Sequence, residues 1–235
     1  MLLNTDAVHS GYGLIEILHG VSIEVEEGRI TCLVGPNGSG KSTFLQTVFG
    51  YIKPTKGRVT FEGHDITGHA PESIMRMGVS YLLQGRSVFP QLTVKENLLI
   101  GAYVLRDKTL VAKRLEEVYL RYPDLRTHVN RRAGDLSGGQ QRMIEFGRAL
   151  MMEPKLILLD ELSTGLAPVL VDQIYDEIAK LSKQGITFLI VEQNVRKILS
   201  IADFGYVLAL GETVFSGPTS RLKHEEKIVS LYLGG

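Results

Sequence analysis

The stretch Gly35-Pro36-Asn37-Gly38-Ser39-Gly40-Lys41-Ser42-Thr43 matches the phosphate-loop pattern G-x-x-x-x-G-K-[ST] at every fixed position. The apolar run Ile30 to Val34 before it reads as a buried strand, and Ser42 to Phe49 after it reads as a helix. That context is what the pattern requires. Glycines at 35, 38 and 40 let the backbone turn tightly and bring consecutive N–H groups toward phosphate oxygens, with the positive end of a helix dipole behind them. In such a loop Lys41 reaches the β- and γ-phosphates and the Ser42 hydroxyl ligates Mg²⁺. The plainer alternative is a glycine-rich strand-to-helix turn with no ligand, because a short pattern also occurs by accident.

With 235 residues the chain is long enough to bury a sizeable core as one α/β domain with insertions. Basic and acidic residues balance at 26 each, so no overall positive field points to nucleic acid. The single cysteine, Cys32, lies in the apolar strand before the loop, where a buried structural thiol is expected and no intramolecular disulfide is possible. Met1 to Ser10 lacks a basic segment followed by an apolar one, and no window approaches the ~20 apolar residues of a spanning helix. The expectation is a cytoplasmic protein whose membrane contact comes through a partner.

Leu14 to Glu26 reads as short strand structure closed by a turn at Glu27-Gly28, and Arg58 to Phe61 as another strand. Tyr12, between Gly11 and Gly13, reads on its own as a surface or packing aromatic in a turn. Pro71 suits the start of a helix to about Met77, and Val79 to Leu83 returns to strand before the polar break Gln84-Gly85-Arg86. From Thr93 to about Arg121 the pattern is helical, opened by a capping-box pair, Thr93 and Glu96, and ended by Pro123. Residues 85 to about 150 are expected to form a helical subdomain inserted in the core.

Within it, Leu136-Ser137-Gly138-Gly139-Gln140 precedes a helix from Gln141 to Met151, with Ser137 as N-cap. Two glycines leave N–H groups uncovered at a positive helix end, which makes a second anion site. It is either a helix cap and nothing more, or it serves a nucleotide held by another molecule. Leu156 to Leu159 reads as a central parallel strand with Asp160 and Glu161 at its carboxyl end. Asp160 fits the Mg²⁺-associated acid of a phosphate-loop NTPase, and Glu161 is placed to polarise water. A helix follows from Pro168 to about Ser182, then the strand Ile186 to Val191 with Gln193 beyond it, a hairpin over Phe204 to Phe215 and a short helical tail near Leu233.

In this order and at these separations, the phosphate loop, Leu-Ser-Gly-Gly-Gln and the strand ending in Asp-Glu resemble the ATP-binding cassette subunit of ABC transporters over essentially the whole chain. The resemblance implies one cassette over residues 1–235, with a phosphate-loop (RecA-like) α/β core, an N-terminal antiparallel β subdomain and the inserted α-helical subdomain. It makes Tyr12 the aromatic that stacks on adenine, reversing the first reading, and Gln84 a residue that approaches Mg²⁺ and couples to the membrane subunit. It gives ATP and Mg²⁺ as ligands, Lys41, Glu161 and Gln193 as catalytic residues, Ser42, Gln84 and Asp160 as the metal set, and Leu136 to Gln140 as a signature acting on the partner's ATP. Ser163 to Pro168 matches the loop that crosses to that partner.

The finer match is to cassettes of branched-chain amino acid importers, through Gly85 to Leu98, Gly165-Leu166-Ala167-Pro168 and Val191-Glu192-Gln193-Asn194. Two positions depart from most cassettes: Gln193 replaces His, keeping a donor that cannot become a cation, and Leu162 replaces Pro, which is expected to change local rigidity and leave the chemistry. The partners implied are a second cassette, identical or not, permease subunits and an extracytoplasmic substrate-binding protein, with the chain peripheral on the inner membrane face. An export cassette for lipid or polysaccharide and a soluble ABC ATPase are the competing readings.

Overall fold

A computed structural model of the chain describes residues 1–83, 85 and 88–222. The expectations for Gln84 and for a helical tail near Leu233 lie outside the described residues. Strand β1 (Leu3–Tyr12) pairs antiparallel with β2 (Ile15–Val25), and β3 (Ile30–Val34) leads through the glycine-rich loop into helix α1 (Lys41–Val48). Strands β4 (Lys56–Phe61) and β5 (His64–Asp65) complete an antiparallel sheet in the order β2-β1-β4-β5.

Next come α2 (Pro71–Arg76) and β6 (Val79–Leu82), then helices α3 (Val94–Ile100), α4 (Lys108–Arg121), α5 (Pro123–Thr127) and α6 (Gly138–Leu150). The chain returns to the core as β7 (Leu156–Asp160), α7 (Pro168–Ser182), β8 (Thr187–Val191), α8 (Val195–Ile201), β9 (Phe204–Ala209), β10 (Glu212–Pro218) and α9 (Thr219–Leu222). The second sheet has the order β10-β9-β3-β8-β7-β6, and its pairings are parallel except for the β9–β10 hairpin.

Both faces of that sheet are covered, which explains why its strands read as continuous apolar runs. Along β7, Ile157 and Leu159 join the core on the helical side, while Leu156 and Leu158 face the antiparallel sheet. Because β6, β7, β8 and β3 run parallel, their carboxyl ends share one edge. Val34, Leu82, Asp160 and Val191 end there, so the loops that follow them converge.

Three local readings change. Strand β1 was not anticipated, and the reason is a bulge. Leu3 and Thr5 point inward, Ala7 takes a left-handed conformation (φ 43°), and after it Val8 and Ser10 point inward, so no single alternation runs through the strand. Tyr12 thus ends a paired strand and does not sit in a free turn. The helical run from Thr93 breaks after Ile100, at Gly101, where any side chain would lie 2.1 Å from the Arg148 carbonyl, and Asp107 caps a new helix. The Thr93–Glu96 capping box forms as expected. Finally, α6 begins at Gly138, one residue after its cap, so both glycines belong to its first turn.

Candidate active site

The loop from Gly35 to Thr43 is held from below by the second sheet. A Cβ at Gly35 would stand 2.0 Å from the Leu208 carbonyl, and Gly40 at the head of α1 has φ 103°; neither position admits another residue without strain. The β9–β10 turn braces the loop, because Gly211 donates its N–H to the Ser39 carbonyl and accepts one from His19. Pro36, Asn37 and Gly38 form the exposed rim, and Ser39 and Gly40 are buried beneath it. The Ser39 hydroxyl oxygen is buried with no hydrogen-bond partner among the described residues.

Lys41 lies inside the curl. Its Nζ donates to the carbonyls of Gly35 at 2.9 Å and Pro36 at 2.8 Å. Burial lowers its pKa, and the carboxylates of Glu161 and Asp160 oppose that shift, so these three groups share one electrostatic site. Asp160 is also buried. Its Oδ1 accepts from the Ser42 hydroxyl at 2.9 Å and its Oδ2 from the Tyr81 hydroxyl at 2.9 Å. Burial raises the Asp160 pKa, and those two donors hold it back.

Glu161 has left-handed backbone (φ 48°), and its N–H donates to the Val191 carbonyl at 2.9 Å. For a non-glycine residue that conformation is uncommon, and such strain clusters at functional sites. The Gln193 side-chain amide donates to Glu161 Oε2 at 2.7 Å, which brings the two expected catalytic residues together from the ends of β7 and β8. Leu162, where most cassettes carry Pro, is buried in the core and anchors the turn apolarly.

These residues suit a nucleoside triphosphate with Mg²⁺. An orphaned buried hydroxyl at Ser39, a curl of backbone N–H groups and Lys41 match phosphate oxygens. Ser42 and Asp160 place two hard oxygen donors side by side, and Mg²⁺ takes one or two such protein ligands and completes its shell with phosphates and water. Tyr12, half exposed, donates its hydroxyl to Gln46 Oε1 at 3.0 Å, tying its ring to α1. Thr43 is buried in the first turn of α1, and its carbonyl accepts from the Thr47 hydroxyl at 2.7 Å.

The Leu136 to Gln140 segment is built differently. Leu136 is buried in the core, and Ser137 caps α6: its hydroxyl accepts from the Gln140 N–H at 3.3 Å while the Gln140 side chain accepts from the Ser137 N–H at 3.0 Å. The Gln140 amide also donates to Asp124 Oδ2 at 2.8 Å. First-turn N–H groups of Gly138 and Gly139 have no acceptor within the helix. No described hydrogen bond or ion pair joins this segment to the phosphate loop of the same chain.

Two residues outside the expected set belong to the site. Tyr81 bonds Asp160, and nothing in an apolar strand distinguishes it in advance. Glu192 is a buried carboxylate at the end of β8, and an acid following an apolar strand is the signal that already marked Asp160.

The family profile described as ABC transporter matches residues 18–164. The chain is 42% identical over 234 residues to the high-affinity branched-chain amino acid transport ATP-binding protein BraG of Pseudomonas aeruginosa, covering 100% of both chains. It is 32% identical over 234 residues to the lipopolysaccharide export system ATP-binding protein LptB of Haemophilus influenzae, covering 99% of this chain and 97% of that one. Among solved structures, the ADP conformation of MJ1267, an ATP-binding cassette of an ABC transporter, superposes with a TM-score of 0.88 at 34% identity, covering 100% of this chain and 99% of that one.

Proposed function

The chain belongs to the ABC transporter family, whose cassettes are ATPases, and from that premise we propose that it powers import of branched-chain amino acids as one of two paired cassettes. The observation that carries the reading is the convergence of Lys41, Ser42, Asp160, Glu161 and Gln193 on one sheet edge, with Ser42 bonded to Asp160, Gln193 bonded to Glu161 and Lys41 in the field of both carboxylates. Greater identity to BraG than to LptB favours amino-acid import over lipopolysaccharide export.

In this reading Tyr12 stacks on adenine and residues 35–43 hold the phosphates. Ser42 and Asp160 would hold Mg²⁺, which neutralises charge on the phosphates. Glu161 accepts a proton from the attacking water, and Gln193, its hydrogen-bond partner, orients the γ-phosphate. The N–H groups of Gly138 and Gly139, with Ser137 and Gln140, close over the ATP of the neighbouring cassette. Residues 1–235 act as one cassette, in which residues 85 to about 150 form the lobe that moves.

No described helix is long and apolar enough to cross a membrane. Contact with permease subunits at the inner face is therefore assigned to a surface. Tyr51, Tyr103, Phe89 and Leu83 are exposed, and a groove of about 240 Å³ lined by Phe49, Tyr51, Met75, Tyr81 and Tyr103 lies between the core and the helical lobe. Exposed aromatic surface of this kind marks an interaction site. A substrate-binding protein on the outer side would deliver the amino acid.

The test is affinity purification from membranes followed by ATPase assay. Recovery with two integral permeases, and hydrolysis stimulated by branched-chain amino acids plus the binding protein, is expected. Recovery with ribosomes alone would sink the transporter reading.

A further inference from the structure

We infer that Glu192 is a positioning residue for hydrolysis, locking the loop after Glu161 to Gln193 so that the two loops move as one piece. The inference rests on the ATPase reading above. Glu192 is only 2% exposed, yet both of its oxygens are used. Oε1 accepts from the Ser163 backbone N–H at 3.1 Å, and Oε2 accepts from the Ser163 hydroxyl at 2.7 Å and from the Gln193 N–H at 3.2 Å.

These contacts close a ring. From Glu161 the backbone runs to Ser163, which bonds Glu192; the next residue, Gln193, returns through its side chain to Glu161 at 2.7 Å. Displacing Gln193 therefore displaces Glu192, and with it Ser163, the first residue of the loop proposed to cross to the neighbouring cassette. The ring offers a direct mechanical route from γ-phosphate to partner contact.

A space-filling role does not account for the residue type. Burying a carboxylate is costly unless its oxygens are satisfied. Burial raises the Glu192 pKa, and the bonds from Ser163 and Gln193 oppose it. All three contacts are donors, which suits an ionised group that only accepts. An amide at this position would set its own N–H₂ against one of those donors.

The test is steady-state hydrolysis by the full chain and its Glu192→Gln, Ser163→Ala and double variants, with Lys41→Ala as background control. Expected for Glu192→Gln is a kcat lower by roughly 10- to 100-fold, the scale of a misplaced catalytic group, with KM for ATP little changed. Ser163→Ala should lower kcat less, and the double variant should be no slower than Glu192→Gln alone. Wild-type kcat in Glu192→Gln, or losses that multiply in the double variant, would overturn the inference. If Glu192→Gln does not fold, Ser163→Ala decides: reduced kcat at unchanged KM supports the ring, and wild-type kcat contradicts it. Hydrolysis absent from the wild-type protein, or unaffected by Lys41→Ala, would instead count against the ATPase reading itself.

Discussion

The two anion-binding ends in this chain, the phosphate loop before α1 and the signature before α6, are constructed in opposite ways. Around the loop, buried side chains supply charge: Asp160 accepts from Ser42, Glu161 accepts from Gln193, and Lys41, bonded to the loop's own carbonyls, feels the field of both carboxylates. Around the signature, Ser137 and Gln140 bond each other, and the charged group they engage is Asp124, an anion. A helix end with free N–H groups and a dipole attracts phosphate, but by itself neutralises little of a triphosphate's charge. The proposed reading therefore has the loop hold a nucleotide alone and the signature engage one that another molecule presents. In the proposed pairing of cassettes, that difference would make each chain half of two sites.

Substitutions on the two ends should separate accordingly. The largest effect is expected at Glu161→Gln, with kcat falling by about 10²–10⁴ as general base catalysis is lost, while ATP binding persists and an ATP-dependent dimer accumulates in gel filtration. A wild-type rate would remove the water-activating role from Glu161. Lys41→Ala comes next, losing a charged hydrogen bond worth about 1.5–3 kcal/mol, or roughly 10- to 150-fold in ATP affinity by titration calorimetry. Unchanged affinity would take the loop out of the account.

Ser137→Ala sharpens the contrast. It removes an N-cap worth about 1 kcal/mol, roughly fivefold, and should lower kcat while leaving the ATP affinity of a single chain as it was. A loss of single-chain affinity would break the comparison. On the same scale is Tyr81→Phe, which deletes one of the donors to Asp160. At about 0.5–1.5 kcal/mol it should raise the Mg²⁺ needed for half-maximal hydrolysis by roughly 2- to 10-fold, and no change would show that Tyr81 does not support the metal acid.

What sequence alone conveyed follows the same division. The phosphate loop, Asp160 and Glu161 were legible because their chemistry demands fixed residue types next to buried apolar strands. The Ser137 cap was legible for a local reason, since its bonds span three residues. Strand β1 was hidden by the bulge at Ala7, which shifts the inward-facing parity in mid-strand. The close approach of Gly101 to Arg148, at the break after α3, is a contact between distant segments. Tyr81 escaped notice because its significance lies in a cross-strand partner, Asp160, that no spacing rule connects to it, whereas Glu192 carried the signal of an acid after an apolar strand and only its partner in the loop after β7, Ser163, was hidden. The pairing of Gln193 with Glu161 was expected only as two separate roles; their direct bond is a product of the parallel register of β7 and β8.

The central claim is that one chain's loop and another's signature form each site, and a mixing experiment addresses it directly. Lys41→Ala and Gly139→Asp proteins, each assayed alone and then combined, are compared with the wild-type chain, whose own activity sets the scale. In a mixed pair one site receives an intact loop from the Gly139→Asp chain and an intact signature from the Lys41→Ala chain. The account predicts that mixing restores hydrolysis which neither variant shows alone. A mixture no more active than the sum of its parts, beside an active wild-type protein, would contradict it.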